Sequence, residues 1–87
     1  TNTISTNVIQ IEIKNKKVSF EKIINELKKH CDYLNLKSTT ITNNNEIYIF
    51  WVEIKNRSSL NKTINTLRNL SNNNISISLF FIENIHE

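Results

Sequence analysis

The order in which two hydrophobic periods alternate constrains this chain most. Val8-Ile9-Gln10-Ile11-Glu12-Ile13 alternates with period 2, the mark of a half-buried strand, whereas Phe20, Ile23, Ile24, Leu27 and Cys31 recur at helical spacing. The scheme then repeats. Tyr48, Phe50, Val52 and Ile54 alternate, Leu60, Ile64, Leu67 and Leu70 line one helix stripe, and Ile75, Ile77, Leu79 and Phe81 alternate again. A weaker β-prone stretch containing Ser38, Thr39 and Thr40 lies between the first helix and the third strand. The order β-α-β-β-α-β predicts one antiparallel sheet carrying both helices on a single face.

The expected fold class is therefore α+β, a ferredoxin-like sandwich with a four-stranded antiparallel sheet. This architecture hosts many unrelated activities, so it says little about function by itself. Strands are expected over residues 7–14, 33–42, 46–55 and 75–82. The second strand is poor in hydrophobic residues and suits a sheet edge. Ser19 is placed to cap the first helix, which runs to about His30, with Lys28, Lys29 and His30 in a last turn that favours positive charge. Ser58 or Ser59 is expected to cap the second, which ends near Leu70. Residues 1–6 read as a polar linker, 7–83 as the domain and 84–87 as a tail.

Composition sharpens the turns. The chain has 87 residues, enough for one modest core, and contains no Gly, Pro or Met. Ala is missing too, and Asn, Ile, Lys, Ser and Thr, all with A- and T-rich codons, fill the gap. Turns that need φ > 0 must fall to Asn, the next best residue there. Asn43-Asn44-Asn45 and Asn72-Asn73-Asn74 sit where turns are required. A chain with Thr at position 1 and no Met reads as a piece of something longer. No apolar run reaches the roughly 18 residues of a membrane span, and no signal sequence is recognisable.

Eleven basic residues against 8 acidic ones leave a net charge of +3, a mild excess. Only Arg57 and Arg68 supply guanidinium groups, so the clustered arginine of a strong phosphate binder is missing. A weaker nucleic-acid surface would use Lys16, Lys17, Lys28, Lys29 and Arg57. The lone Cys31 cannot form an internal disulfide and fits a reducing, cytoplasmic compartment. It falls on the first helix stripe or one residue past its end, as a small buried hydrophobe.

No metal or catalytic constellation emerges. Cys31 has no nearby partner, and His30 and His86 lack ligand spacing. A Cys31–His86 pair would need the tail to fold back. Glu12, Glu21, Glu26, Asp32, Glu46 and Glu53 are scattered, and without Gly there is no phosphate loop. No cofactor is implied. A base-stacking RNA sheet needs outward aromatics on strands one and three. Strand one offers Gln10 and Glu12 outward, and strand three offers only Trp51.

The outward side of strand three is nevertheless unusual. With Tyr48, Phe50, Val52 and Ile54 under the helices, Ile47, Ile49 and Trp51 face away, and strand four adds Phe80 and Ile82. An uncovered sheet face should be polar. Five large side chains left in water would forgo several kcal/mol at roughly 25 cal/mol per Å². Ile47, Ile49, Trp51, Phe80 and Ile82 are therefore expected to form an interface with a second protomer, as a homodimer through the sheet, or with other domains of a parent chain.

From Ile11 through Phe81 the chain resembles the ACT domain, a small ligand-sensing and oligomerising module. It is most similar to the C-terminal ACT domain of Rel/Spo-type (p)ppGpp synthetase/hydrolases, the GTP pyrophosphokinase family. Ile11-Glu12-Ile13-Lys14-Asn15-Lys16-Lys17 resembles the first strand and turn, and Leu34-Asn35-Leu36-Lys37-Ser38 resembles the opening of strand two. Phe50-Trp51-Val52-Glu53-Ile54-Lys55-Asn56-Arg57-Ser58-Ser59-Leu60, then Ile64 and Leu67-Arg68-Asn69-Leu70, resembles strand three and helix two. The resemblance implies a non-catalytic regulatory domain acting through domain contacts, dimerisation or ribosome and rRNA engagement. An amino-acid-binding module of a metabolic enzyme is the alternative, as is a small RNA-binding module. By resemblance, Asn15, Lys16, Lys17, Val18, Asn35 and Ser38 would bind a small amino-acid effector. The family usually has Gly where Val18 stands, and a Cβ there narrows the approach of a ligand to the backbone.

Overall fold

A computed structural model describes the backbone of residues 2–15, 18–70, 72 and 74–86, and the side chains of 7–15, 18–56, 58–70, 72 and 74–80. Six elements follow in order: β1 (Asn2–Lys14), α1 (Phe20–His30), β2 (Cys31–Ile41), β3 (Asn45–Ile54), α2 (Arg57–Leu70) and β4 (Ile75–His86). They form one antiparallel sheet in the order β2-β3-β1-β4, so the two most regularly alternating strands are central and the polar β2 lies at an edge. This is the expected ferredoxin-like sandwich.

Its core is built by the alternation. Ile9, Ile11 and Ile13 of β1 and Tyr48, Phe50 and Val52 of β3 point to one side, where Ile23 and Leu27 of α1, Leu67 of α2, Val18 and Ile75 meet them. Phe20 completes an aromatic cluster under α1, 4.5 Å from Tyr48 and 6.2 Å from Phe50 between ring centroids. The Tyr48 hydroxyl donates to Glu46 Oε2 at 2.9 Å. Burial first, then that hydrogen bond and the nearby carboxylate charge, push the Tyr48 phenol up to about 12.

Three local expectations change. The α2 cap is Asn56, not Ser58 or Ser59: its Oδ1 accepts from the Ser59 amide at 2.8 Å. Asn is among the best capping residues, and its place three positions before Ser59 satisfies the third amide of the helix. Ser19 caps α1 as expected, accepting from the Lys22 amide at 3.3 Å. The left-handed turns also fall differently. Among the described residues, positive φ occurs at Asn15 (58°) and Asn72 (51°), and not in the Asn43–Asn45 hairpin. That hairpin closes through Thr42, whose hydroxyl donates to the Asn45 carbonyl and accepts the Asn45 amide, each at 3.1 Å.

The third change is in strand length. β1 begins at Asn2 and β4 continues to His86, paired from Asn2↔His86 to Ile13↔Ile75. The segments expected as linker and tail thus carry strand backbone. Their polar residues gave no alternation to detect, because ladder hydrogen bonds belong to the main chain. No helix among the described residues is long and apolar enough to cross a membrane.

Candidate functional site

With both helices on one side of the sheet, β1 and β3 must turn their other residues outward. Trp51 on β3 and Phe80 on β4 are both register partners of Val8 on β1, so the three form one row across the sheet. Trp51 is 39% exposed and Phe80 51%, whereas Val8 between them is only 7% exposed. The two rings flank and shield the valine although no helix lies above it. Ile47 and Ile49 continue the apolar surface along β3, half-buried beside Glu12 and Gln10 of β1.

β2 extends this face. Asn35 stands opposite Trp51, and Tyr33 opposite the outward Glu53. The Asn35 carboxamide donates from Nδ2 to the Tyr33 hydroxyl at 2.8 Å. The ladder slips between Leu36 and Ser38, and Lys37 in this irregularity sets its Nζ 4.8 Å from the Trp51 ring centroid. A cation over an indole face is attracted by the ring quadrupole. At the hairpin end, Asn45 Nδ2 donates to Glu12 Oε2 at 3.2 Å.

The residues expected around an amino-acid effector do not share one surface. Asn15 lies at the end of β1, its amide donating to the Asn44 carbonyl at 2.7 Å. Val18 is buried in the core on the helix side. Asn35 lies on the outward face opposite Trp51, while Lys14 pairs with Asn45, so Asn15 and Asn35 are separated by roughly 20 Å of strand. Ser38 lies between these positions, opposite Ile49. Lys16 and Lys17 lie outside the described residues. The residues expected at an interface, by contrast, are gathered: Ile47, Ile49, Trp51 and Phe80 share the outward face, and the Ile82 side chain lies outside the described residues.

Sequence reasoning missed Val8, Tyr33 and Lys37 as parts of this face. Val8 was readable, because an apolar residue at an outward position of an alternating strand is an anomaly. Tyr33 and Lys37 were not, because Tyr33 follows the register irregularity at Cys31/Tyr33 and Lys37 sits inside the one at Leu36/Ser38, and such slips shift which residues face outward.

Other chemistry is sparse. Cys31 is half-buried as the first residue of β2, packed against the core. Burial, reinforced by Asp32 and opposed by Lys55, pushes its thiol up, away from the thiolate form that reacts. Among the described residues, no three His, Cys, Asp or Glu side chains gather to hold a metal.

Fold and face together define a small α+β domain with one side roofed by helices and an aromatic-bearing side left open. No family model matches the chain. No curated protein matches it. Solved structures do. The crystal structure of the ACT domain from GTP pyrophosphokinase of Chlorobium tepidum aligns over 86% of this chain and 96% of that one, with a TM-score of 0.61 at 15% identity. The de novo designed protein Foldit4 aligns over 93% of this chain and 97% of that one, with a TM-score of 0.58 at 11% identity. At these identities the likeness is one of fold. That a designed protein shares it underlines that function has to be argued from the face.

Proposed function

We propose that this chain is a non-catalytic, regulatory ACT-type domain, the C-terminal part of a (p)ppGpp synthetase/hydrolase, and that it works through what docks on its outward sheet face. The observation that carries the reading is the exposed row of Trp51 and Phe80 around Val8, on the side of the sheet that no helix covers. The fold likeness to the ACT domain of a GTP pyrophosphokinase supports it. So does the resemblance of the stretch from Phe50 to Leu60, which covers the second half of β3 and the start of α2. A domain of this kind transmits a signal by contacting its partner differently in two states of the whole protein. Contacts with other domains of a cytoplasmic parent chain, with a second copy or with rRNA would all use this face.

The reading frame around these residues tests the proposal directly. A synthetase or hydrolase domain in the same frame supports it, and a free-standing frame of this length overturns it. In such a full-length enzyme, Trp51→Arg should alter the regulation of (p)ppGpp synthesis while leaving the fold of this domain intact by circular dichroism.

A further inference from the structure

We infer that the free edge of β4 pairs with β4 of a second copy, antiparallel about a two-fold axis, so that two domains share one continuous sheet. This adds the strand edge beside the open face to the proposed function and does not depend on which enzyme the domain belongs to. The sheet has two edge strands, β2 and β4. A free edge presents main-chain donors and acceptors to any passing strand, and proteins blunt such edges with bulges, charges and proline. β2 is blunted: its ladder slips at Cys31/Tyr33 and at Leu36/Ser38, and it carries Asp32 and Lys37. β4 is not. It follows β1 residue by residue from Ile75 to His86 without a slip. It contains no Gly, Pro, Lys or Arg, and its first charged residue is Glu83. The asymmetry marks β4 as the edge that is covered in use.

Regularity and symmetry select a second copy as the occupant. So long and unbroken an edge is matched only by a strand equally unbroken. The other edge strand, β2, cannot supply it, because its slips would break the ladder. A β4–β2 contact would also be head-to-tail and grow without closing, whereas a β4–β4 contact is isologous and closes as a dimer. Residues opposite each other across a strand pair lie on the same side of the sheet, so β4 meets its copy only with even numbers opposite even and odd opposite odd. The register that pairs residues 75–85 puts Phe80 opposite Phe80 of the second copy and Glu83 opposite Ile77. Such a ladder supplies about ten hydrogen bonds, the number found in a standard protein interface. Phe80, 51% exposed, gains an aromatic cross-strand partner, and the two open faces merge into one with the helices together behind it.

Charge permits this contact. Within the paired stretch no two charged residues stand opposite each other, since Glu83 is the one formal charge in residues 75–85. The helix packed over β4 is α2, which carries Arg57, Lys62 and Arg68 and no acid. Two such helices side by side repel weakly, because at physiological salt exposed charges are screened beyond about 8 Å. Added salt therefore leaves the dimer intact or tightens it. A polyanion bound by the same residues would instead be released by salt.

The test is sedimentation equilibrium of the 87-residue chain, with amide hydrogen exchange measured on the same samples. A dimer should form and should not weaken between about 50 and 200 mM salt. Alternate amides of β4, those pointing away from β1, should exchange more slowly as the protein concentration rises. Phe80→Lys and Phe80→Glu should each lose the dimer, because each sets like charges opposite one another, and an equimolar mixture of the two should recover it. Trp51→Ala should leave the dimer intact, and circular dichroism checks that every variant is folded. The inference is overturned by a monomer at millimolar concentration, by β4 amides whose exchange ignores concentration, or by a dimer that Trp51→Ala abolishes. That last result moves the contact onto the open face and keeps the proposed function. A monomer removes the edge contact and leaves the open face to other partners.

Discussion

The two faces of the sheet carry the same number of aromatic rings in the described residues and use them in opposite ways. On the helix side, Phe20, Tyr48 and Phe50 touch one another, with Tyr48 and Phe50 buried and Phe20 partly so. On the other side, Tyr33, Trp51 and Phe80 stand apart and stay substantially wet. Phe50 and Trp51 are sequence neighbours, so a single peptide bond separates a residue that holds the fold from one that is free to hold something else. Composition does not distinguish them. Only the period-2 pleat and the one-sided placement of the helices do.

The contrast breaks first at Phe50, which has no exposed surface. Phe50→Ala should cost about 3–5 kcal/mol in urea unfolding, enough to unfold a domain of this size. A loss under about 1 kcal/mol would mean that the helices do not roof this face.

Tyr48 gives the next largest effect, and its sign follows from linkage. A phenol pushed up to about 12 in the folded protein stays protonated where the unfolded chain, at about 10, ionises. Its contribution to stability is complete below about pH 10 and is lost as the pH rises toward 12. Denaturation midpoints measured through this window should fall more steeply for the native protein than for Tyr48→Phe.

Val8 sharpens the comparison, since it is buried on the otherwise open face. Val8→Ala should cost about 1–2 kcal/mol. A double-mutant cycle with Trp51→Ala should reveal a coupling of about 0.5 kcal/mol or more, because the indole is part of what shields the valine. At the helix periphery, Asn56→Ala should cost about 1 kcal/mol through loss of the α2 cap, with Ser58→Ala nearly neutral. Trp51→Ala alone should cost only about 0.5 kcal/mol, the share of the Val8 shielding that the indole provides. A much larger loss would make Trp51 a structural residue and remove the distinction from Phe50.

Much of this was legible in the sequence where side-chain pattern decides. The inner sides of β1 and β3, the α1 stripe with its Ser19 cap and the edge position of β2 all follow from apolar spacing. So does the outward placement of Ile47, Ile49, Trp51 and Phe80. What was not legible depends on the main chain. The extension of β1 and β4 through polar residues rests on ladder hydrogen bonds, and the exposure of Tyr33 and Lys37 on register slips in β2. Turn geometry was half-readable. Composition pointed to asparagine for the left-handed positions, yet only the coordinates distinguish Asn15 and Asn72 from the hairpin triplet, where a threonine hydroxyl does the work instead.

Those two asparagines carry a wider implication. Across its described backbone, a whole β-α-β-β-α-β domain calls on just two residues to adopt the mirror-image conformation. Both are asparagine, which with aspartate tolerates it best after glycine. An achiral residue is thus dispensable to this topology, and nucleotide bias can purge it from a gene so long as carboxamides remain at those two corners.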